Sequence, residues 1–300
     1  METSAPTARR LFFSGETFAP EQLEELERAF FWNVIARNGT FKTTNHRRLG
    51  DLNRAVLKHL PAARPLNIMD VAVSSGVSTG EWARDLDAAG IKHQMTAGDL
   101  LVHAWLISIN TRLHVLVDKT GYPLQLDIDG RAIRTPFNKR DWLRHTAAIL
   151  LTKLVLSRAA PAMRSGSFGA LRNPPLSRFG VKYRPLKLVS HSLRELTHIE
   201  VVEDDILNDH GYAATFHVVR AANILNRVYF DDATLRAMLR NLRSRLMPGG
   251  LLIVCRTMDE DSANHATMFT LREDGRLAVA ARLNSGSEIE ELALALEPAP

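Results

Sequence analysis

The residues best suited to chemistry in this 300-residue chain gather around one stretch, "IMDVAVSSGVSTGEW", running from Ile68 to Trp82. It combines a carboxylate within an apolar run (Asp70), small hydroxylic residues (Ser74, Ser75, Ser78, Thr79) and two glycines (Gly76, Gly80). Two chemistries use such a set. A small-residue turn between a strand and a helix aims backbone N–H groups and the helix N-terminus at an anionic or nucleoside-type ligand. Alternatively, Gly76-Val77-Ser78-Thr79-Gly80 matches G-x-S-x-G, the turn that presents a nucleophilic serine. Further acids stand downstream, Asp99 and the pair Asp204-Asp205, followed by Arg220 and Asn223. His103, His114, His145 and His210 titrate near neutrality and are candidate bases. The pattern assigns no metal ligands. The single cysteine, Cys255, lies in the apolar run "LLIVCRT", where a small buried hydrophobe is expected rather than a nucleophile.

The elements that must position these residues follow from the hydrophobic pattern. "PEQLEELERAFFWNVIAR" carries Leu23, Leu26, Phe30 and Phe31 at helical spacing, and "RRLGDLNRAVLKHL" extends a helical N-terminal region over residues 1–64. "LNIMDVAV" is a nearly continuous apolar run, the mark of a strand buried on both faces. A helix from "STGEWARDLDAAG" stops at Gly90, and a second strand ends at Asp99. "HIEVVEDDIL", "FHVVRAANIL" and "GLLIVCRT" supply three more strands. Asp231 caps an intervening helix that Pro248-Gly249-Gly250 closes, and Asp274-Gly275 turns a final hairpin. Strands alternating with helices predict an α/β fold: a doubly wound, mostly parallel sheet with a C-terminal antiparallel hairpin.

Residues 101–194 break this rhythm and read as an insertion between the second and third core strands, within a domain of residues 65–300. "RLHVLVDKTGYPLQLDIDGRAI" alternates like strands about Gly121. "RDWLRHTAAILLTKLVLSRAA" reads as a helix, and "PAMRSGSFGALRNPPLSRFGVKYRP" reads as a loop or lid. From Arg131 to Arg194 there are fourteen Lys and Arg residues against one acid, Asp141, so most of the net charge of +5 collects there and the rest of the chain is net acidic. That asymmetry fits an anionic partner: a small anionic or amphiphilic acceptor, a nucleic acid or an anionic membrane surface. The hydrophobic fraction of 45% and charged fraction of 24% are those of a soluble globular protein. No apolar run reaches the roughly 18 residues of a membrane span, no secretory signal is seen, and the lone cysteine suits a reducing cytoplasm.

Asp70 in the first strand, Gly76 six residues on, an acid ending the second strand, an acidic pair ending the third and a Pro-Gly-Gly turn before the fifth occur in an order that resembles the class I, Rossmann-like S-adenosylmethionine-dependent methyltransferases. The resemblance covers Pro65 to Asp99 and His198 to Leu283. The family's loop normally reads D/E-x-G-x-G-x-G; here Ala72 and Ser74 stand where the first two glycines would be, and Gly76 is kept. Ala and Ser allow close approach but resist positive φ. The resemblance implies S-adenosyl-L-methionine as cofactor, held by the loop Asp70, Ala72, Ser74, Ser75 and Gly76. It implies Asp99 on the ribose hydroxyls, Asp205 (or Asp204) and Ile206 at the adenine, and Arg220 and Asn223 near cofactor and methyl acceptor. His217 replaces an acid often found at the start of the fourth strand.

Other functions remain in view: a nucleic-acid methyltransferase or binding protein using the basic insertion, a non-catalytic relative lacking the cofactor, and a serine hydrolase built on residues 76–80. Against the hydrolase stand the missing strands before the turn, the missing HGGG-type segment and the lack of a clear strand-borne Asp and His. His210, His217 and His265 leave a triad formally available.

Overall fold

The computed structural model describes residues 5–36, 39, 41–42, 45–134, 177–178, 181–208, 211–258 and 262–298. They fall into two units, Met1–Thr44 with Leu101–Leu188, and Asn45–Leu100 with Val189–Pro300. The expected N-terminal region 1–64 is therefore divided, its first part grouping with the insertion and its last part with the large sheet. His145, His210, the expected helix over 140–160 and the loop over 161–176 lie outside the described residues. Among the described residues no helix is long and apolar enough to cross a membrane.

The second unit is built on a seven-stranded sheet. In chain order its strands are β1 (Leu66–Val71), β2 (His93–Asp99), β9 (Ile199–Glu203), β10 (Phe216–Ala222), β11 (Leu246–Thr257), β12 (Asn264–Leu271) and β13 (Leu277–Leu283). Their spatial order is β13-β12-β11-β10-β1-β2-β9. The five strands from β9 to β11 are parallel, and β12 and β13 complete an antiparallel meander. This is the expected doubly wound, Rossmann-like sheet. β12 runs antiparallel to the core and β13 returns to the core direction, forming the expected C-terminal hairpin. The strand order reverses between β1 and β10, so the loops leaving these two strands flank the switch point where open α/β sheets bind ligands.

The central strands β1 and β10 and the second half of β11 are mainly apolar and buried, as strands covered on both faces are. Helix α4 (Val77–Ala88) buries Val77, Trp82, Ala83 and Leu86. The helix Asp232–Ser244, here α6, buries Leu235, Met238, Leu239 and Leu242, a stripe at i, i+3, i+4 and i+7. Its N-cap is Asp231, whose carboxylate accepts the Thr234 N–H at 2.8 Å; that bond holds the Asp231 carboxyl below its usual range. The expected turn at Pro248-Gly249-Gly250 falls within β11. Gly250 is required there, since a Cβ would come within 2.7 Å of the Met247 carbonyl oxygen. α3 (Gly50–Val56), the one-turn α5 (His191–Arg194) and α7 (Glu290–Leu294) complete this unit.

The first unit holds a six-stranded antiparallel sheet, β6-β5-β4-β3-β8-β7. Its strands are β3 (His103–Ser108), β4 (Leu113–Asp118), β5 (Pro123–Ile128), β6 (Arg131–Arg134), β7 (Ser177–Arg178) and β8 (Val181–Lys187). Side chains alternate across it: Ala104 and Leu106 pack with Phe30, Phe31 and Leu116, whereas Trp105 and Ile107 pack with Val115, Val117 and Tyr183. Helices α1 (Ala8–Phe13) and α2 (Pro20–Trp32) join this unit, and the Ala8 N–H donates to Gln125 Oε1 at 2.8 Å. Residues 181–187 correct the expectation of a loop. Gly180 and Pro185 read as breakers, yet β8 pairs with β3 from His103↔Lys187 to Ser108↔Lys182, so cross-strand packing outweighs local propensity.

Candidate functional site

The loop leaving β1 has an unusual backbone. Ala72, Ser74 and Gly76 all have positive φ, at 55°, 57° and 78°. Left-handed backbone costs a non-glycine residue ~1 kcal/mol, so Ala72 and Ser74 adopt a glycine-type turn against their own preference. Three backbone bonds hold it: Val73 N–H to Gly98 O at 3.1 Å, Gly76 N–H to Val73 O at 2.8 Å, and Ser190 N–H to Ser75 O at 2.7 Å. A carboxylate adds a fourth, because Ser74 N–H donates to Asp99 Oδ2 at 2.7 Å. Glycine is favoured at Gly76 on a second ground, since a Cβ there would lie 2.2 Å from Leu193 Cδ2, and the Leu193 side chain would have to shift. Backbone strain over-determined by its surroundings is typical of ligand clamps. The Ser75 hydroxyl is buried without a hydrogen-bond partner.

Asp70 and Arg220 face each other in register on β1 and β10. The guanidinium binds the carboxylate through both oxygens, Nε to Oδ1 at 2.9 Å and Nη2 to Oδ2 at 2.5 Å. Thr79 Oγ1 donates to Asp70 at 2.7 Å, and Arg220 Nη1 donates to Asn53 Oδ1 at 3.0 Å. The guanidinium also lies over the Trp82 ring at 4.1 Å. Arg220 is 1% exposed and Asp70 3%. Expected beside the acceptor, Arg220 is thus committed to a buried network that fixes the first turn of α4 against two central strands. Asp70 likewise is committed to that network, to Arg220 and to Thr79 in the first turn of α4.

The third acidic pair divides. Asp204 is buried and paired with buried Arg245 at 2.7 Å, and Gly98 leaves the room it needs. Asp205 is half-buried and closes its own turn, accepting from Leu207 N–H at 3.0 Å and Asn208 Nδ2 at 2.8 Å. Ile206 belongs to the core. Asn223, just past β10, has φ 61° and accepts the Thr257 N–H on its side-chain oxygen at 2.7 Å. The loop 72–76, Asp99, Asp205 and Asn223 therefore share the carboxyl edge of the parallel strands.

Ser78 lies in the first turn of α4, buried, and its hydroxyl has no hydrogen-bond partner. A nucleophilic serine needs a base in contact with it. His217 instead accepts the Asn67 N–H at 3.0 Å, and His265 accepts the Ser285 N–H at 3.3 Å. The hydrolase reading has no geometry among the described residues. Cys255 is 1% exposed and burial pushes its thiol up to about 12, as expected of a structural cysteine.

His103 and His114 belong to the first unit. His114 is buried, bonded through Nδ1 to Ser108 Oγ at 2.7 Å, and burial pushes its pKa down. It borders a cleft of about 800 Å³ that Arg9, Arg10, Lys182 and Arg184 also line. Burial lowers the Arg184 pKa, and Arg9 adds to the shift. Among the described residues the one acid lining the cleft, Glu16, is paired with Arg10 at 3.1 Å.

No protein-family model and no curated protein match this chain. It is similar to the PH0226 protein of Pyrococcus horikoshii at 13% identity, over 82% of this chain and 78% of that one, with a TM-score of 0.34. It is similar to the N-methyltransferase NodS of Bradyrhizobium japonicum, solved with S-adenosyl-L-homocysteine, at 13% identity over 73% and 66% with a TM-score of 0.33. The CMeT domain of a citrinin polyketide synthase follows at 14% identity, over 69% of this chain and 33% of that one, with a TM-score of 0.32. The chain spans between a third and two thirds of the length of the first solved structures it matches.

Proposed function

We propose that this chain binds S-adenosyl-L-methionine at the carboxyl edge of the seven-stranded sheet and transfers its methyl group to a small anionic or amphiphilic acceptor. The observation that carries the reading is the left-handed loop Ala72–Gly76, locked onto Asp99 at the switch point of the sheet. The residues fit the cofactor: small side chains on a strained turn, a buried Ser75 hydroxyl without a partner, a strand-end carboxylate and no space for a Cβ at Gly76. Bound there, the cofactor supplies an activated methyl on a sulfonium.

The chain's own residues then have limited tasks. The loop and Asp99 would hold the nucleoside end, and Asp205, two residues past β9 and bonded within its own turn, would be the acid that accepts from an adenine amine. Asn223 occupies the edge of the neighbouring strand, where an acceptor is aligned. Alignment and exclusion of water supply most of the acceleration in such a displacement, and a carboxylate acceptor needs no base. The first unit separately holds a cationic cleft with the volume of a small-molecule site. Calorimetry with S-adenosylmethionine and S-adenosylhomocysteine tests the reading. Binding of both at micromolar affinity is expected, and no heat at millimolar ligand overturns it.

A further inference from the structure

At the opposite, amino edge of the same sheet, three ligand-type side chains converge that no part of the proposed methyl transfer uses. Asp87 lies in the last turn of α4, His93 is the first residue of β2, and His198 immediately precedes β9. His93 Nδ1 is 3.8 Å from Asp87 Oδ1, and His198 Nε2 is 3.8 Å from Asp87 Oδ2. The two imidazoles meet edge to face with centroids 4.9 Å apart. One ligand atom from each of the three residues lies within 4.8 Å of the others.

The histidines are not satisfied by the protein. The His93 side chain is 1% exposed, and both His93 Nε2 and His198 Nε2 are buried without a hydrogen-bond partner. His93 Nδ1 sits 3.0 Å from the Ile91 carbonyl oxygen, so in the tautomer that donates there Nε2 carries a lone pair. That is how ligating histidines are commonly held: one ring nitrogen fixed on a carbonyl, the other available. Buried polar atoms without partners are rare; of these two, His198 Nε2 faces the Asp87 carboxylate, whereas His93 approaches it through Nδ1.

We propose that Asp87, His93 and His198 form a site for a divalent transition-metal ion of the zinc class. Two neutral imidazoles and a carboxylate match the ligand preference of such ions, whereas calcium and magnesium take oxygen ligands. Metal–ligand bonds of about 2.0–2.2 Å require the ligand atoms to draw together from their present spacing, and Asp87, the exposed member, has the freedom to do so. A fourth position is left for water. The ion ties the end of α4 to β2 and to β9, the edge strand of the sheet. Its place at the edge away from the loop 72–76 makes it a structural clamp.

The test is a titration of the untagged, chelator-treated full chain with Co²⁺ and with Zn²⁺, following visible d–d absorption and the melting temperature. One equivalent of tetrahedral Co²⁺, displaced by Zn²⁺, and a Zn²⁺-dependent rise in melting temperature are expected. His198→Ala and Asp87→Asn should each weaken binding at least tenfold while circular dichroism stays that of the parent. His198→Cys, which restores a zinc ligand, should recover binding. The proposal is overturned if no metal binds at millimolar concentration, or if one-equivalent binding persists unchanged in both variants. The readouts do not depend on methyl transfer, so this proposal and the preceding one fail separately.

Discussion

The Asp99 carboxylate accepts the backbone N–H of Ser74 at 2.7 Å, so the end of the second core strand fixes the loop leaving the first. The acid assigned to a ribose thus also shapes the cradle. Asp99→Ala should weaken cofactor binding on both counts, by at least tenfold in calorimetry. Ser78→Ala should change it less than twofold, because the Ser78 hydroxyl is buried in the first turn of α4. Equal losses in the two variants would contradict the assignment.

Ala72 and Ser74 hold left-handed φ without being glycine. Replacing both by glycine removes ~1 kcal/mol of strain at each site and adds chain entropy of similar size to the unfolded state. The double variant should therefore melt within a few degrees of the parent. Ala72→Val, which adds a β-branched side chain at the same φ, should cost more than either glycine. Thermal melts of the three variants, read beside calorimetry, separate strain from binding.

The Asp70–Arg220 pair is bidentate and fully buried. Arg220→Met leaves a buried carboxylate without its partner and should cost about 3–5 kcal/mol in denaturant unfolding. Changing Asp70→Asn in that background should recover part of the loss, since the uncompensated charge is gone. If Arg220→Met folded normally but abolished turnover alone, Arg220 would belong to the chemistry rather than to the frame.

What the sequence made legible was local. Apolar runs bounded by glycine, proline and capping acids located the parallel strands, Asp231 marked a helix start, and Asp274-Gly275 marked a hairpin. The partners of Asp70 and Asp204 were not legible, because Arg220 reaches Asp70 through strand register 150 residues away and Arg245, the C-cap of α6, reaches Asp204 from 41 residues away. The seat of Gly76 on Leu193 was hidden for the same reason. The six-stranded sheet was half visible: β4 and β5 alternate clearly, whereas β8 carries a proline and needs β3 to form. Asp87 and His93 are six residues apart in "DLDAAGIKH", but nothing local announces that His198 meets them.

Burial lowers the His114 pKa. The unfolded chain then binds a proton more readily than the folded one, so stability rises with pH through the unfolded value of about 6.5 and is lost as pH falls below it. His114→Gln should flatten the difference in melting temperature between pH 7 and pH 5 relative to the parent. An unchanged pH profile in the variant would show that His114 protonates as freely in the fold as in water.

The cationic cleft of the first unit distinguishes a small anion from a polymer by its response to salt. A small dianion held by Arg9, Arg184 and Lys182 neutralises one or two charges, and its affinity should fall only modestly with salt. A single-stranded nucleic acid contacting six phosphates would show a slope of roughly −4 in log affinity against log salt. Arg184→Gln should weaken a small aromatic or acyl dianion at least fivefold, because Arg184 already lies over the Phe13 ring at 4.2 Å and is held at the wall of the cleft. Fluorescence titrations of both ligand types at two salt concentrations decide the matter: a steep slope with RNA and no response to the dianion would make the cleft a nucleic-acid contact rather than a small-anion site.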